Sequence, residues 1–275
     1  MVPTKSKATG GNDRGLPLKS AVQSHNVKFL RMESLDYSGG GFMLGDLIFR
    51  QLFDKESSTY SYILADSDSR EGVIIDPVKE QVERDVSLIR ELNLTIRMAL
   101  NTHCHADHIT GTRLLREEIG SLSMISTASG AMADRYFDHG DVIRFGSHSL
   151  EVRATPGHTN GCSSLVLNND VAVFTGDAVL IRGCGRTDFQ EGDSRMLYKS
   201  VHEQIFTLPD SCLIFPAHDY KGRSYSTVGE EKKFNPRLSK SEDEFIGIMS
   251  QLNLSYPRMI DIAVPANLMC DYIGE

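Results

Sequence analysis

The chain has 275 residues, of which 40% are hydrophobic and 24% charged, a composition that suits a globular protein with one large domain. Its formal net charge of −8 argues against nucleic acid as a partner, because surfaces that bind phosphate are usually basic. No apolar run approaches the roughly 18–20 residues that span a bilayer, so we also expect no membrane partner.

Residues 1–46 differ in composition from the rest of the chain. Residues 4–14 are polar and glycine-rich, and basic residues outnumber acidic ones over the whole leader. Two interpretations stay open for this N-terminal leader, a disordered segment and an organelle-targeting segment. We predict that residues 47–275 form the folded domain, with a C-terminal extension from about residue 221.

From residue 47 onward, hydrophobic periodicity predicts strands in two clusters, each followed by helices. The helices are expected at residues 82–92, 109–119 and 194–206. The strands are expected at residues 47–53, 60–65, 72–76, 95–100, 149–154, 163–167, 171–175 and 212–215. Two such clusters predict two packed sheets with helices on their outer faces.

Metal-capable side chains follow four of these apolar runs. They are His103, His158, Asp177 and His218. Side chains at the ends of rigid strands can be held within the tolerance that a metal requires. The sequence therefore predicts a metal site at the edge of the sheets.

The densest group of metal-capable side chains is the segment T-H-C-H-A-D-H at residues 102–108. His103 and His105 alternate by two, so they project to the same side of an extended chain. Asp107 and His108 continue into a turn and can face the same point. Together with His158, Asp177 and His218 they make seven donors. Such a set fits one metal with spare groups or two metals, and imidazole and carboxylate suit zinc or iron.

The remaining histidines and the cysteines carry no comparable signal. We assign no role to His25, His139, His148 and His202. The five cysteines form no C-x-x-C pair, which excludes the spacing of a structural zinc site and favours a reducing compartment. Alternation turns Cys104 away from the site, whereas Cys184 is either a thiol near the site or a small packed residue. The role of Cys270 stays open.

The ordered set T-H-x-H-x-D-H, P-G-H-T, T-G-D and P-A-H resembles the metallo-β-lactamase superfamily over about residues 47–220. The resemblance implies an α+β fold, the αββα sandwich of two mixed β-sheets with helices on the outer faces. It also implies that the metal lies at one edge of the two sheets and that residues 47–275 are a catalytic domain.

The stretch T-G-D-A-V-L-I-R-G-C-G-R-T-D-F-Q at residues 175–190 resembles the persulfide dioxygenase (sulfur dioxygenase) group of the glyoxalase II-like branch. Shorter matching stretches lie at residues 50–53, 205–209, 216–221, 235–238 and 264–267. This resemblance implies an iron-dependent enzyme of sulfide catabolism that oxidises glutathione persulfide with O2 and water to sulfite and glutathione. The alternative is a glyoxalase II-like dinuclear hydrolase of glutathione thioesters.

The resemblance also implies a division of the seven donors. One Fe(2+) per chain is held by His103, His158 and Asp177, a facial triad that leaves positions open for substrate and dioxygen. The donors that surround these ligands without binding iron are His105, Asp107, His108 and His218, and we also count His218 among the catalytic residues.

Two further residues are expected to contact the substrate and to act in catalysis. Arg186 is the candidate for steering the anionic substrate, because a guanidinium pairs with a carboxylate in a fixed two-pronged geometry. Tyr220 follows His218 by two residues and is expected to point its hydroxyl towards the open face of the iron. The family also implies a homodimer as the candidate assembly and residence in the mitochondrial matrix, with the cytoplasm as the alternative.

Overall fold

The protein, described for residues 46–270 by a computed structural model, is built on two six-stranded β-sheets. The predicted leader at residues 1–46 lies outside the described residues, apart from Asp46. The first sheet consists of β1 (Leu47–Phe53), β2 (Tyr60–Asp66), β3 (Glu71–Ile75), β4 (Thr95–Leu100), β5 (Leu122–Ser126) and β6 (Arg135–Phe137), in that spatial order.

The connections of the first sheet bring several strand ends to one edge. Strands β1, β2 and β3 pair antiparallel, whereas β3, β4, β5 and β6 pair parallel. Parallel neighbours need a crossover, and here α1 (Val82–Glu91) connects β3 to β4 while α2 (Thr112–Ile119) connects β4 to β5. The carboxyl ends of β3 and β4 therefore point the same way.

The second sheet places further strand ends at the same edge. It contains β7 (Val142–Phe145), β8 (His148–Ala154), β9 (Ser163–Leu167), β10 (Ala172–Gly176), β11 (Leu213–Pro216) and β12 (Ser226–Thr227). Only β10 and β11 are parallel in this sheet, and α3 (Ser194–Ser200), continued by a π-helical turn to Ile205, connects them. The other neighbouring strands pair antiparallel.

The space between the sheets is filled by an aromatic core. The ring centroids of Tyr62 and Phe174 lie 4.9 Å apart, and so do those of Phe49 and Phe215. The hydroxyl of Tyr62 donates to the carbonyl of Pro216 at 2.6 Å, which satisfies a buried polar group and ties β2 to the end of β11.

Each sheet buries its other face under helices. On the first sheet, Ile63 and Ile74 pack in one buried cluster with Val86 and Leu115 from α1 and α2. On the second sheet, the corresponding cluster contains β10 and β11 side chains together with residues of α3 and of the later helix α5 (Glu242–Met249). The layers are therefore helix, sheet, sheet, helix, and the predicted αββα sandwich is confirmed.

Most predicted elements are found with small shifts of their ends, but the helix predicted at 109–119 begins three residues later. The carbonyl of Ile109 accepts from the backbone of Lys79 at 2.9 Å, and the amide of Gly111 donates to Pro77 at 2.8 Å. The backbone of residues 109–111 thus pairs with the segment after β3, and the first helical hydrogen bond runs from the Leu115 amide to the Gly111 carbonyl at 3.0 Å.

The sequence did not predict β5, β6, β7 and β12, nor the individual helices of the extension. Those helices are α4 (Val228–Phe234), α5 and α6 (Ile260–Leu268). Helix α6 has weak amphipathic contrast because Ile262 is exposed while Ile260 and Ala263 are buried. Among residues 46–270, no helix is long and apolar enough to cross a membrane.

Asp66 connects two turns at the edge of the sandwich opposite the carboxyl ends of β3 and β4. Its carboxylate accepts from the backbone amides of Asp68, Ser69 and Ser147 at 2.7–2.9 Å, and from the Ser147 hydroxyl. These bonds join the β2–β3 turn to the β7–β8 turn. They also hold the pKa of Asp66 well below its usual value, chiefly through the Ser147 hydroxyl.

We predict that Asp66→Asn lowers the free energy of unfolding at pH 7 by about 1–3 kcal/mol, because its amide cannot accept all of these bonds. A lowered pKa in the folded state stabilises the fold fully above the unfolded pKa of about 4, and the stabilisation is lost as the pH falls further. Urea unfolding between pH 7 and pH 2 should therefore show the two proteins converging below about pH 4. The exposed Asp68→Asn is the control, and equal stability of Asp66→Asn and wild type at pH 7 would refute the prediction.

Candidate metal centre

Five strand ends meet at one edge of the sandwich and carry the polar side chains of the site. Residues that follow β3 and β4 come from the first sheet, and residues that follow β8, β10 and β11 come from the second. An isolated bridge between Thr59 and His218 joins the two sheets at this edge. The seven predicted donors lie here in two groups. Within each group, the ligand atoms all lie within 4.8 Å of one another.

The first group is His103, His158 and Asp177, all of them buried. His158 Nε2 lies 3.5 Å from Asp177 Oδ2, and the rings of His103 and His158 are 5.0 Å apart between centroids. Two imidazoles and one carboxylate that converge in this way can hold a divalent metal ion.

Hydrogen bonds to the Nδ1 atoms set the tautomers of both imidazoles. His158 Nδ1 donates to the carbonyl of Arg186 at 2.6 Å. Thr102 Oγ1 donates to Asp76 Oδ2 at 2.8 Å and is therefore free to accept from His103 Nδ1 at 3.0 Å. In both rings the proton is on Nδ1, so Nε2 is left with a lone pair for a metal.

Asp76 was not among the predicted site residues. It follows β3 and has a φ of 48°, a left-handed conformation that is unusual for a residue other than glycine. Its carboxylate accepts from the Thr102 amide at 2.7 Å and lies 3.1 Å from His105 Nε2. Asp76 thus orients the chain that carries His103, and its place at a strand end directly before Pro77 was the available sequence signal.

The second group is His105, Asp107, His108 and His218. Asp107 Oδ2 accepts from His108 Nδ1 at 2.9 Å and from His218 Nε2 at 2.9 Å. His108 Nε2 is buried and has no hydrogen-bond partner within residues 46–270, so it keeps an unused lone pair or proton.

His218 connects the two groups. Its Nδ1 donates to Asp177 Oδ1 at 2.6 Å and its Nε2 donates to Asp107, so the ring is an imidazolium between two carboxylates. Burial alone would lower the pKa of His218, but the charges of Asp107 and Asp177 outweigh it and raise the pKa well above its usual value. Asp177 Oδ1 is thereby occupied, and Oδ2 remains available to a metal.

Arg186 lies beside the site, but its guanidinium is already paired. Nε and Nη2 donate to the two oxygens of Asp188 at 2.6 and 2.7 Å, and Nη1 donates to the carbonyl of Ser255 at 2.7 Å. Its own carbonyl accepts from His158. The structure therefore gives Arg186 a role in holding His158, and its contact with substrate stays a prediction.

Tyr220 and Cys184 differ sharply in exposure. Tyr220 is 69% exposed, and its ring lies parallel to that of His218 with centroids 6.3 Å apart. Cys184 is buried against Met249, with the two sulfur atoms 3.7 Å apart. Burial raises the pKa of the Cys184 thiol to about 11, so this cysteine is a packed, protonated residue.

Three comparisons with known proteins place this chain. A family model for the metallo-beta-lactamase superfamily matches residues 54–128 and 133–218. The chain is 59% identical over 225 residues to the mitochondrial persulfide dioxygenase ETHE1 of Mus musculus, covering 82% of this chain and 89% of the relative. The crystal structure of ETHE1 from Myxococcus xanthus shares 50% identity with a TM-score of 0.79, covering 81% of this chain and 99% of that one. The chain belongs to the persulfide dioxygenase family.

The family membership confirms the prediction of a dioxygenase enzyme. The hydroxyacylglutathione hydrolase GloC of Haemophilus influenzae is a more distant relative, 31% identical over 62% of this chain and 89% of that protein. The glyoxalase II-like alternative is therefore the weaker one. In this dioxygenase, the two groups of His and Asp side chains form the candidate metal centre.

We predict that Gly185→Ala disrupts the first group. A Cβ at position 185 would lie 2.7 Å from His158 Cγ and 2.8 Å from the carbonyl of Asp177, closer than real contacts allow. The displaced His158 should bind metal at least tenfold more weakly, measured as metal retained after dialysis. Gly183→Ala is the matched control, since its Cβ meets only Leu180 at 3.8 Å. Equal metal retention by the two variants would refute the prediction.

Proposed function

We propose that this dioxygenase uses one Fe(2+), held by His103, His158 and Asp177, to oxidise glutathione persulfide. The overall reaction joins the persulfide, one O2 and one water to give glutathione and sulfite, so both dioxygen atoms and the water oxygen end on the outer sulfur. The observation that carries the proposal is the convergence of these three donors with both imidazole Nδ1 atoms already bonded.

The residues of the first group fit a ferrous ion. A set of two histidines and one carboxylate on one face leaves up to about three positions for other ligands. Bound ferrous iron supplies the single-electron chemistry that lets triplet O2 react with a closed-shell sulfur. The protein supplies orientation through the carbonyl of Arg186, the hydroxyl of Thr102 and the ring of His218.

His218 acts in this proposal as a fixed positive charge. Its Nδ1 proton holds Asp177 Oδ1, so the carboxylate presents Oδ2 to the metal in one orientation. The Nε2 proton is held by Asp107, which His108 and Thr59 also contact. His105, Asp107 and His108 then serve as the shell that keeps His218 in place.

Tyr220 and Arg186 are the proposed contacts for substrate. Tyr220 is exposed and parallel to His218, so its hydroxyl can bond to a ligand at the mouth of the site. Arg186 is mostly committed to Asp188 and Ser255 and has little donor capacity left for a carboxylate of the substrate. Tyr220 therefore stands first among the substrate contacts.

The mammalian relative is named mitochondrial, which supports residence of this chain in the mitochondrial matrix, where sulfide catabolism would use it. We propose a homodimer as its assembly, and residues 47–275 as a single catalytic domain whose extension starts near residue 221. The leader at 1–46 would then be the segment that carries the targeting information.

The deciding experiment loads the protein anaerobically with ferrous iron and measures bound metal and oxygen uptake on glutathione persulfide. We expect one iron per chain, and one sulfite formed for each O2 consumed. His158→Ala should lose most of its iron, and its kcat/KM should fall by more than the roughly 10–100-fold that removing a residue that only orients a ligand costs, because one of the three metal ligands is removed. His139→Ala, an exposed histidine, is the control.

Two metal ions per chain, with thioester cleavage and no oxygen uptake on persulfide, would overturn the proposal in favour of the dinuclear hydrolase. A His158→Ala variant that kept both iron and activity would overturn the ligand assignment.

Tyr220→Phe should lower kcat/KM for glutathione persulfide about tenfold while the iron content stays unchanged, because it removes a hydroxyl that bonds a charged substrate. The assay is oxygen uptake as a function of persulfide concentration. Tyr225→Phe is the matched control, since Tyr225 is also exposed (50%) and packs on Phe215 instead of His218. Equal kcat/KM values for the two variants would remove Tyr220 from the substrate contacts.

A further inference from the structure

We infer that Asn267, on α6 of the C-terminal extension, is a positioning residue of the metal site. Its side-chain amide holds the loop at residues 103–110 in the conformation that presents His103 and Asp107. The inference rests on the proposed metal site and does not depend on which reaction occurs there.

Asn267 makes three hydrogen bonds to this loop. Its Nδ2 donates to the carbonyl of His105 at 2.8 Å and to the carbonyl of His108 at 2.9 Å. Its Oδ1 accepts from the amide of Thr110 at 2.8 Å. Both amide hydrogens and the amide oxygen are therefore used on a segment about 160 residues earlier in the chain.

Asn267 lies on the buried face of its helix, where a polar side chain is unexpected. It is 6% exposed and shares the buried face of α6 with Ile260 and Ala263, with Cys270 one turn further on. A polar side chain on such a face is costly unless its hydrogen bonds are satisfied, and an apolar residue would pack there without that cost. The hydrogen bonds to the loop therefore explain why an amide side chain occupies this buried position.

The loop needs such a partner because it is neither helix nor strand. Residues 103–109 have no regular hydrogen-bonding pattern, so their buried carbonyls must find donors elsewhere. Gln190 serves one of them, with Nε2 donating to the carbonyl of Cys104 at 2.8 Å. Asn267 serves two more and fixes the amide of Thr110, which follows the loop.

The clamp reaches the metal ligands through Asp107. That residue lies between the two carbonyls that Asn267 holds, and its carboxylate is 2.9 Å from His218 Nε2. His218 in turn bonds Asp177 Oδ1 at 2.6 Å. Releasing the clamp would let Asp107 move, and the orientation of Asp177 would be lost through His218.

The test uses Asn267→Ala and Asn267→Ser, the second of which keeps one hydroxyl donor. Ferrous affinity is measured anaerobically by competition with a chelator, and cobalt(II) is bound as a probe whose d–d absorption reports coordination geometry. We expect affinity to fall at least tenfold in Asn267→Ala with an altered cobalt spectrum, and less in Asn267→Ser, as for other residues that orient metal ligands.

Asp66→Asn is the matched control for loss of stability, because it also removes bonds of a buried polar side chain but lies at the opposite edge of the sandwich. Its melting temperature should fall while its iron affinity and cobalt spectrum match those of wild type. If Asn267→Ala does not fold, the result for Asn267→Ser decides.

Wild-type iron affinity together with a wild-type cobalt spectrum in the folded Asn267 variants would overturn the inference. Loss of affinity in Asp66→Asn in proportion to its loss of stability would also overturn it, since the effect would then be general. A wild-type protein that binds one iron but consumes no O2 with persulfide would refute the proposed reaction alone.

Discussion

The site depends on a chain of three charged groups, in which the buried His218 lies between the buried Asp177 and the half-buried Asp107. Removing carboxylates from water is costly unless each is paired and hydrogen-bonded. The imidazolium of His218 meets this requirement for both at once, with contacts of 2.6 and 2.9 Å. Because the three groups follow β10, β11 and β4, these strand ends must converge for the charges to be paired.

The sandwich produces that convergence through its core. Tyr62 of the first sheet donates to the carbonyl of Pro216, two residues before His218, and its ring packs on Phe174, three residues before Asp177. The bridge between Thr59 and His218 adds a direct backbone link between the sheets. Apolar packing between the sheets therefore sets the relative positions of Asp177 and of His218, whose Nδ1 donates to it.

Much of the site could be predicted because its chemistry is local in sequence. His103 and His105 alternate on an extended segment, and His158, Asp177 and His218 each follow an apolar strand, so type and spacing were enough to nominate them. Residue chemistry alone did not show which of these side chains bind the metal and which only orient the metal ligands. The structure separates the two groups geometrically. The separation depends on long-range contacts of His218, with Asp177 at a distance of 41 residues along the chain and with Asp107 at a distance of 111.

The parts that escaped prediction depend on distant pairings. Asp76 acts on Thr102 across 26 residues, and Asn267 acts on the loop across some 160. Neither residue type is a specific signal in the sequence, because most Asn and Asp residues lie on the surface and only the fold shows that these two are buried. The strands β5, β6 and β7 were missed because their short stretches show little alternation, and pairing with neighbours stabilises them instead of local propensity.

The same seven donors are compatible in composition with one metal ion or two, so the number of ions depends on what each donor already binds. His103 and His158 have only Nδ1 engaged, and Asp177 has only Oδ1 engaged, which leaves three ligand atoms free. In the second group, both nitrogens of His218 are bonded to carboxylates. His105 Nε2 lies 3.1 Å from Asp76 Oδ1 but makes no hydrogen bond within residues 46–270, and His108 Nε2 makes none there either.

A second ion at His218 would have to displace the proton on Nε2 and separate Asp107 from its partners. It would also leave Asp177 Oδ1 beside an imidazole with less positive charge to balance it. The hydrogen bonds of His218 therefore oppose the binding of an ion at His218 itself, whereas the first group offers three ligand atoms that no hydrogen bond occupies.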